Sequence, residues 1–284
     1  MKFLAIGNAN IDVSVFVDRI PDQDEAVDAL AATMSAGGSA SNFALAAARL
    51  GMDVLVIASV GDDSLGKIYL RTLEEGGVDT SQVKVAEGRR TGLVVILNVS
   101  GESRRMIESP GANEELSPMD IMNKGDLVRA ADEVHMASVR IPIARAVLEV
   151  REGISWDPGL RILSKNRDDV WKLLPRVGKI FLNLKESELL SKEKDPREAA
   201  KKIAKEGPDE ILIKMGPKGS LAWIEGEFYF VKAIPVNVVD TTGAGDVFAA
   251  AYLTARAKGF PPRKAIRLAS AAAALTISRP GTAY

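Results

Sequence analysis

Asp240-Thr241-Thr242-Gly243-Ala244-Gly245-Asp246 is the stretch from which the rest of this chain can be read. It follows an apolar, strand-like run, Ala233 to Val239, and opens into Val247-Phe248-Ala249-Ala250-Ala251-Tyr252-Leu253, the start of a buried helix. Glycines on either side of an alanine let backbone N–H groups converge with no Cβ in the way. The first turn of a helix leaves those N–H groups unpaired and adds the positive end of the helix dipole, so the turn suits an anion. Asp246 stands at that anion position with no basic residue beside it. A carboxylate there fits a base that deprotonates a nucleophile attacking a bound phosphate. The plainer reading is a Gly-rich turn with an acid in the first helical turn, where acids are favoured in any case.

Composition narrows the classes. The 284 residues suffice for one large α/β domain or two small ones. The 37 Lys and Arg nearly balance 38 Asp and Glu, which argues against a nucleic-acid surface or a polybasic membrane surface. With no cysteine there is no disulfide framework, thiolate chemistry or zinc ribbon. The apolar start Phe3-Leu4-Ala5-Ile6 breaks at Gly7-Asn8, too soon for a signal peptide or a membrane span, so a cytoplasmic protein is expected.

Strand and helix patterns alternate outward from the opening motif. Apolar runs suited to buried parallel strands occur at Lys2–Gly7, Val54–Val60, Glu133–Ala137, Ile154–Asp157, Lys179–Leu182 and Glu210–Met215. Helical patterns cover Ser41–Leu50, Gly66–Glu75, Pro142–Arg151, Arg167–Leu174, Pro196–Lys205, Ala244–Ala257 and Arg263–Ser278. This alternation predicts an α/β fold, a doubly wound and mainly parallel sheet with helices on both faces. Two stretches break the rhythm: Asp12–Val17 with Ala26–Met34, and Thr91–Asn98 with Arg105–Glu108, read as short paired strands. They predict a small β lid of residues 12–34 and 91–109, inserted in an α/β domain of residues 1–11, 35–90 and 110–284.

One motif is a decoy. Gly61-Asp62-Asp63-Ser64-Leu65-Gly66-Lys67-Ile68 has Walker spacing up to the lysine, then isoleucine where Ser or Thr should hold Mg²⁺. Its two aspartates would repel phosphate.

Other clusters lie where α/β folds place ligand groups. Asn10 and Asp12 follow the first strand and alternate with Ala9 and Ile11, so both can face one side and grip vicinal hydroxyls; an Asx turn is the plainer reading. Gly37 and Gly38 precede an Ala-rich helix that carries Asn42; they suit a hinge and a close approach to a ligand, with N-capping by Ser39 or Ser41 as the alternative. Asn183 and Glu186 sit three apart as a helix begins. Lys214-Met215-Gly216-Pro217-Lys218-Gly219 closes a strand and fits either a nucleotide pocket or a hairpin turn. His135, the only histidine, lies in an apolar strand and reads as a core residue.

Taken in order, these clusters resemble the ribokinase-like (PfkB) family of carbohydrate kinases over nearly the whole chain. The matching segments include Asn10-x-Asp12, Gly37-Gly38-x-x-x-Asn42, Val60-Gly61-Asp62-Asp63 and Gly111-Ala112-Asn113. Asn183-x-x-Glu186, Lys214-Met215-Gly216-x-x-Gly219 and Asp240–Asp246, the family's signature, complete the series. The resemblance implies Asp246 as catalytic base and Gly243, Ala244 and Gly245 as the anion hole. It implies Asn183 and Glu186 for the phosphates and a water-bound Mg²⁺, and Lys214, Gly216, Gly219 and Ser270 around an ATP or ADP donor. Asn10, Asp12, Gly37, Gly38 and Asn42 would hold the sugar. In relatives Asp240, Thr242 and the stretch around Arg279–Gly281 help form a monovalent-cation site; the resemblance implies a K⁺ ion here, with one ligand and any K⁺ activation left open because many relatives run on where this chain has Tyr284.

The acceptor is read from arginines. Many relatives carry a glutamate after the strand matching Val134–Ala137, whereas this chain has Arg140 at about that position. Arg90 and the pair Arg104-Arg105 lie in or beside the lid. Guanidinium groups converging on a hydroxyl-binding cleft favour an anion, so a phosphorylated acceptor such as ribose 1-phosphate is expected. A nucleoside or a free ribose- or fructose-type sugar is the alternative; Phe16 and Phe43 are the candidate aromatics near the lid motifs that could stack a base. A sugar-binding regulator on the same fold would normally lose the base, and a nicotinamide dehydrogenase would show Gly-x-Gly-x-x-Gly after the first strand, where Gly7-Asn8-Ala9-Asn10 stands. An exposed lid edge would also permit a homodimer.

Overall fold

The computed structural model describes residues 1–99 and 105–279, which leaves Arg104, Pro280 and Gly281 outside. In chain order it runs β1 (Lys2–Gly7), β2 (Asn10–Val17), β3 (Ala31–Gly37), α1 (Ser39–Arg49), β4 (Asp53–Ile57), β5 (Ser59–Gly61), α2 (Ser64–Glu75), β6 (Val78–Asp79) and β7 (Lys84–Ala86). It continues through β8 (Gly92–Val99), β9 (Arg105–Ser109), a 3-10 turn (Gly111–Glu115), α3 (Pro118–Met122), α4 (Gly125–Ala130), β10 (Glu133–Ala137), α5 (Ile141–Val150) and β11 (Ile154–Asp157). Then come α6 (Gly159–Leu173), β12 (Val177–Asn183), α7 (Leu184–Ser191), α8 (Pro196–Ala204), β13 (Glu210–Lys214), β14 (Ser220–Ile224), β15 (Glu227–Val231), α9 (Ala244–Ala257) and α10 (Pro262–Ile277).

The described residues form a nine-stranded sheet in the order β15-β14-β13-β12-β11-β10-β1-β4-β6. It is parallel except for the antiparallel β13-β14-β15 edge. Side-chain alternation gives each strand two apolar faces. Phe3 and Ala5 pack with Val54, Val56 and Phe181 under α1, α2, α9 and α10. Leu4 and Ile6 pack with Leu55, Ile57 and Ile180 under α3 to α8. The expected two-faced α/β architecture is therefore present.

A separate four-stranded sheet, β3-β2-β8-β9, forms the lid. β2 and β8 run parallel at its centre, with Asn10 opposite Gly92 and Asp12 opposite Val94. The outer strands pair antiparallel.

Several elements depart from the sequence pattern. Ala233 to Val239 forms no strand: Pro235 has no N–H for a ladder, and the segment is tied down by Val239 N donating to Ile277 O at 2.7 Å. The Val54–Val60 run is two strands, because β5 leaves the main sheet to pair with β7. The β14-β15 hairpin extends the sheet beyond the expected strands. α6 starts at Gly159 rather than Arg167, and non-helical Asn166 (φ −134°, ψ 30°) breaks its periodicity. The Walker-like segment is structural: Asp63 caps α2 by accepting from Gly66 N at 2.9 Å and also accepts from Thr91 Oγ1 at 2.6 Å.

His135 is a buried core residue stacked on Phe43 at 4.2 Å between ring centroids, with Nδ1 3.0 Å from Ser155 Oγ. Burial pushes its pKa down to about 3, so the ring is neutral. Among the described residues no helix is long and apolar enough to cross a membrane.

Candidate active site

The C-terminal ends of β1, β10, β11, β12 and β13 deliver Asn8, Ser138, Asp157, Asn183 and Lys214 to one rim of the sheet, the usual ligand edge of an α/β fold. The Gly-Ala-Gly turn closes over this rim. Gly243 is left-handed (φ 72°) at the N-cap of α9, a conformation that favours glycine, and it starts the helix at Ala244 with Asp246 in the first turn. α1 packs beside α9, so Asn42 Nδ2 donates to Asp246 Oδ2 at 2.8 Å. Burial pushes the Asp246 carboxyl up to about 7, helped by the negative charge of Asp157 and opposed by Asn42, Lys214 and Ser39. A carboxyl that titrates near neutrality can hold or release a proton under working conditions, which is what a general base needs.

Two clefts meet at this turn. Gly243 and Asp246 line one of about 180 Å³, together with Asn10, Asp12, Gly38 and Asn42. Ala244 and Gly245 line the other, of about 250 Å³, together with Lys214, Gly216, Gly219 and Ser270. Four residues expected at the sugar (Asn10, Asp12, Gly38, Asn42) thus share the first space and four expected at the nucleotide (Lys214, Gly216, Gly219, Ser270) the second, while Asn183 lines neither. Gly37 does not line the first cleft; it makes room for Asp12, whose carboxyl atoms sit 2.1–2.4 Å from where a Cβ would stand. Gly38 has φ 91°, and a Cβ there would come within 2.3 Å of Asn8 O. Asn113 braces the same wall: its Oδ1 accepts from Ala9 N and its Nδ2 donates to Asn10 Oδ1, both at 2.7 Å.

On the other side, Lys214 Nζ donates to Asp157 Oδ2 at 2.7 Å. Asn183 and Glu186 form a reciprocal capping box on α7, at 2.9 and 2.8 Å, so both act structurally whatever else they do. Burial and the charge of Asp157 push the Glu186 carboxyl up to about 7. Ser270 Oγ lies 3.4 Å from Ser220 Oγ. Asp240 is buried and accepts from Thr242 N at 2.8 Å, which brings those two together; Pro280 and Gly281, expected beside them, lie outside the described residues.

The arginines are placed differently from the sequence expectation. Arg140 donates to the carbonyls of Glu114 (3.0 Å) and Leu116. It therefore braces the 3-10 turn that carries Asn113 and does not line the first cleft, because the carbonyls at the end of that turn capture its guanidinium. Arg105 also lies off the cleft: the pleat of β9 turns Met106 and Glu108 inward and leaves Arg105 and Ile107 on the other face. Among the described residues, the arginine that lines the cleft is Arg161, on the first turn of α6, held by Glu108 at 2.9 Å. Sequence reading passed over Arg161, Glu108 and Asp157. Asp157 had a usable signal, being an acid at the C-terminal end of an expected buried strand.

The family model described as "pfkB family carbohydrate kinase" matches residues 2–284. The chain is 32% identical to an ATP-dependent ribose-1-phosphate kinase of Halopiger xanaduensis, covering 99% of this chain and 93% of the relative. It is 30% identical to a ribokinase of Arabidopsis thaliana, covering 98% and 76%. The solved structure of Arabidopsis thaliana ribokinase complexed with ribose and ATP superposes with a TM-score of 0.84 at 28% identity, covering 98% of this chain and 93% of that one. By the family match over residues 2–284 and these likenesses, this chain belongs to the PfkB family of carbohydrate kinases.

Proposed function

We propose that this chain transfers the terminal phosphoryl group of a nucleotide, ATP or ADP, to a primary hydroxyl of a ribose-type sugar, with a sugar phosphate such as ribose 1-phosphate as the favoured acceptor. The observation that carries the reading is Asp246, a half-buried carboxyl where two clefts meet at a helix N-terminus, with desolvation pushing it up to about 7. The acceptor hydroxyl gives its proton to Asp246 as its oxygen bonds to phosphorus, and the electron pair of the broken P–O bond leaves with the nucleotide. Charge on the phosphoryl oxygens meets the N–H groups of the Gly243–Gly245 turn. The lid over the acceptor cleft excludes water, the competing acceptor.

A divalent cation fits the nucleotide side. No cluster of three or more His, Cys, Asp or Glu among the described residues forms a metal cage. Mg²⁺ binds through waters and phosphates at such sites, and Glu186 beside Asp157 supplies the negative charge that would hold those waters. Bound there, Mg²⁺ would neutralise charge on the donor phosphates. Asp240 and Thr242 would serve a K⁺ ion in the same reading.

The phosphorylated acceptor is supported by the likeness to a ribose-1-phosphate kinase and by Arg161, which lines the cleft with part of its guanidinium paired to Glu108 and the rest left for an anion. A nucleoside acceptor is less well supported, because no aromatic residue among those described lines the cleft and Phe43 is spent on His135. The lid edges expose Met34 and Ile107, which suits a homodimer through the lid. Crossing ATP and ADP with ribose 1-phosphate, ribose, fructose and adenosine, in Mg²⁺, tests the reading by phosphoryl transfer. Turnover should be greatest with ribose 1-phosphate and abolished in Asp246→Asn. Arg161→Ala should raise KM for ribose 1-phosphate by about 10- to 100-fold while changing that for ribose little. A nearly active Asp246→Asn, or equal KM effects on both sugars, would refute the corresponding part.

A further inference from the structure

The side chain of Lys214 takes an unusual course. Lys214 ends β13 and Asp157 ends β11, with β12 between them and Asn183 in register beside Lys214. At about 4.8 Å per strand, the lysine must lie nearly extended across the end of β12 to reach Asp157, roughly 10 Å away. It does so directly against the Gly-Ala-Gly turn. A Cβ on Gly245 would stand 2.9 Å from Nζ, 3.7 Å from Cε and 3.9 Å from Cδ. The absence of a Cβ at Gly245 thus leaves room for the lysine to lie against the turn. Both partners of the ion pair are largely buried, with side chains 18% and 11% exposed. Among the described residues Nζ donates its hydrogen bond to Asp157, and an ammonium has three N–H donors.

We propose that Lys214 is a catalytic residue that bears on the phosphoryl group in transit, and that Asp157 is the positioning residue that pins its ammonium at the junction of the two clefts. Lys214 lines the nucleotide cleft, and Asp157, which belongs to neither cleft's lining, holds its ammonium at the end of that cleft where the Gly-Ala-Gly turn leads to Asp246. As the acceptor oxygen bonds to phosphorus and the donor P–O bond breaks, two remaining N–H groups are available to the phosphoryl oxygens. Asp157, Glu186 and Asp246 all favour the charged lysine, so it stays cationic although buried. The inference rests on Asp246 as the base, a reading judged separately by Asp246→Asn.

The chain has no cysteine, so Lys214→Cys can be alkylated at that one position with 2-bromoethylamine to rebuild an ammonium of nearly the same reach. Lys214→Cys should lower kcat by about 10²- to 10³-fold, with the calorimetric Kd for ADP changed by less than about fivefold, and alkylation should restore most of the turnover. Asp157→Asn should lower kcat by about tenfold or more and have little further effect in the Lys214→Cys background. Loss of ADP binding with unchanged kcat would make Lys214 a ground-state contact and overturn the proposal. So would failure of alkylation to restore turnover in a variant that still binds ADP. Additive losses from the two substitutions would remove the positioning role of Asp157.

Discussion

Replacing Asp246 with asparagine should abolish turnover and, at neutral and higher pH, make the protein more stable. In the unfolded chain this carboxyl titrates at its ordinary value of 3.8; in the folded protein burial raises it to about 7. Between those values the folded state binds the proton more tightly than the unfolded state does. The stability associated with Asp246 is therefore fully present below 3.8, is lost as pH rises, and is gone above 7. A rise of roughly three pH units at 1.36 kcal/mol each sets a ceiling of about 4 kcal/mol. Asparagine is near-isosteric and neutral, and its carbonyl can keep the hydrogen bond from Asn42. The rise to about 7 already includes the opposing attraction of Lys214, so a gain of about 2–4 kcal/mol is expected at pH 8, the amide being an imperfect stand-in for the protonated acid. Urea unfolding of both proteins at pH 4, 6 and 8 would measure it, and Tm should rise by roughly 2–3 °C per kcal/mol in parallel. The gap should widen from pH 4 to about 7 and then level off. A variant no more stable at pH 8, or a gap independent of pH, would refute the argument that the base is held against a burial cost.

Two further substitutions probe the same wall. Asn42→Ala removes the bond that favours the charged carboxylate, so the acid limb of the pH profile of kcat/KM should move to higher pH; an unmoved limb would mean that Asn42 acts only on the acceptor. Gly37→Ala places a methyl group on the Asp12 carboxyl and should raise acceptor KM by about tenfold or more, leaving nucleotide KM nearly unchanged; a selective loss of nucleotide binding would contradict the placement.

The fold was largely legible because its strands are buried on both faces. Lys2–Gly7, Glu133–Ala137 and Ile154–Asp157 are each an uninterrupted run that ends where the structure ends it. The misreadings have physical sources. The run from Ala233 to Val239 looks like a strand by composition, but Pro235 removes a ladder donor and no partner strand is there among the described residues. The helix at Gly159 was hidden behind Asn166, whose non-helical backbone shifts the apolar phase of the residues after it.

The site was legible where chemistry and backbone constraint coincide, as at Gly243–Asp246, and illegible where a side chain's target depends on tertiary contacts. Arg140 and Arg161 show the difference. Each precedes or opens a helix after a strand, and nothing local separates them. Arg140 turns to the carbonyls of a 3-10 turn from another part of the chain, while Arg161 meets Glu108 across the lid boundary. The same holds for Lys214: its motif places it near a nucleotide, but Asp157, two strands away, decides that its ammonium lies against the transfer turn. A sequence motif therefore specifies which charges reach the rim of this sheet. Their pairing across the rim decides which of those charges remain for the substrate.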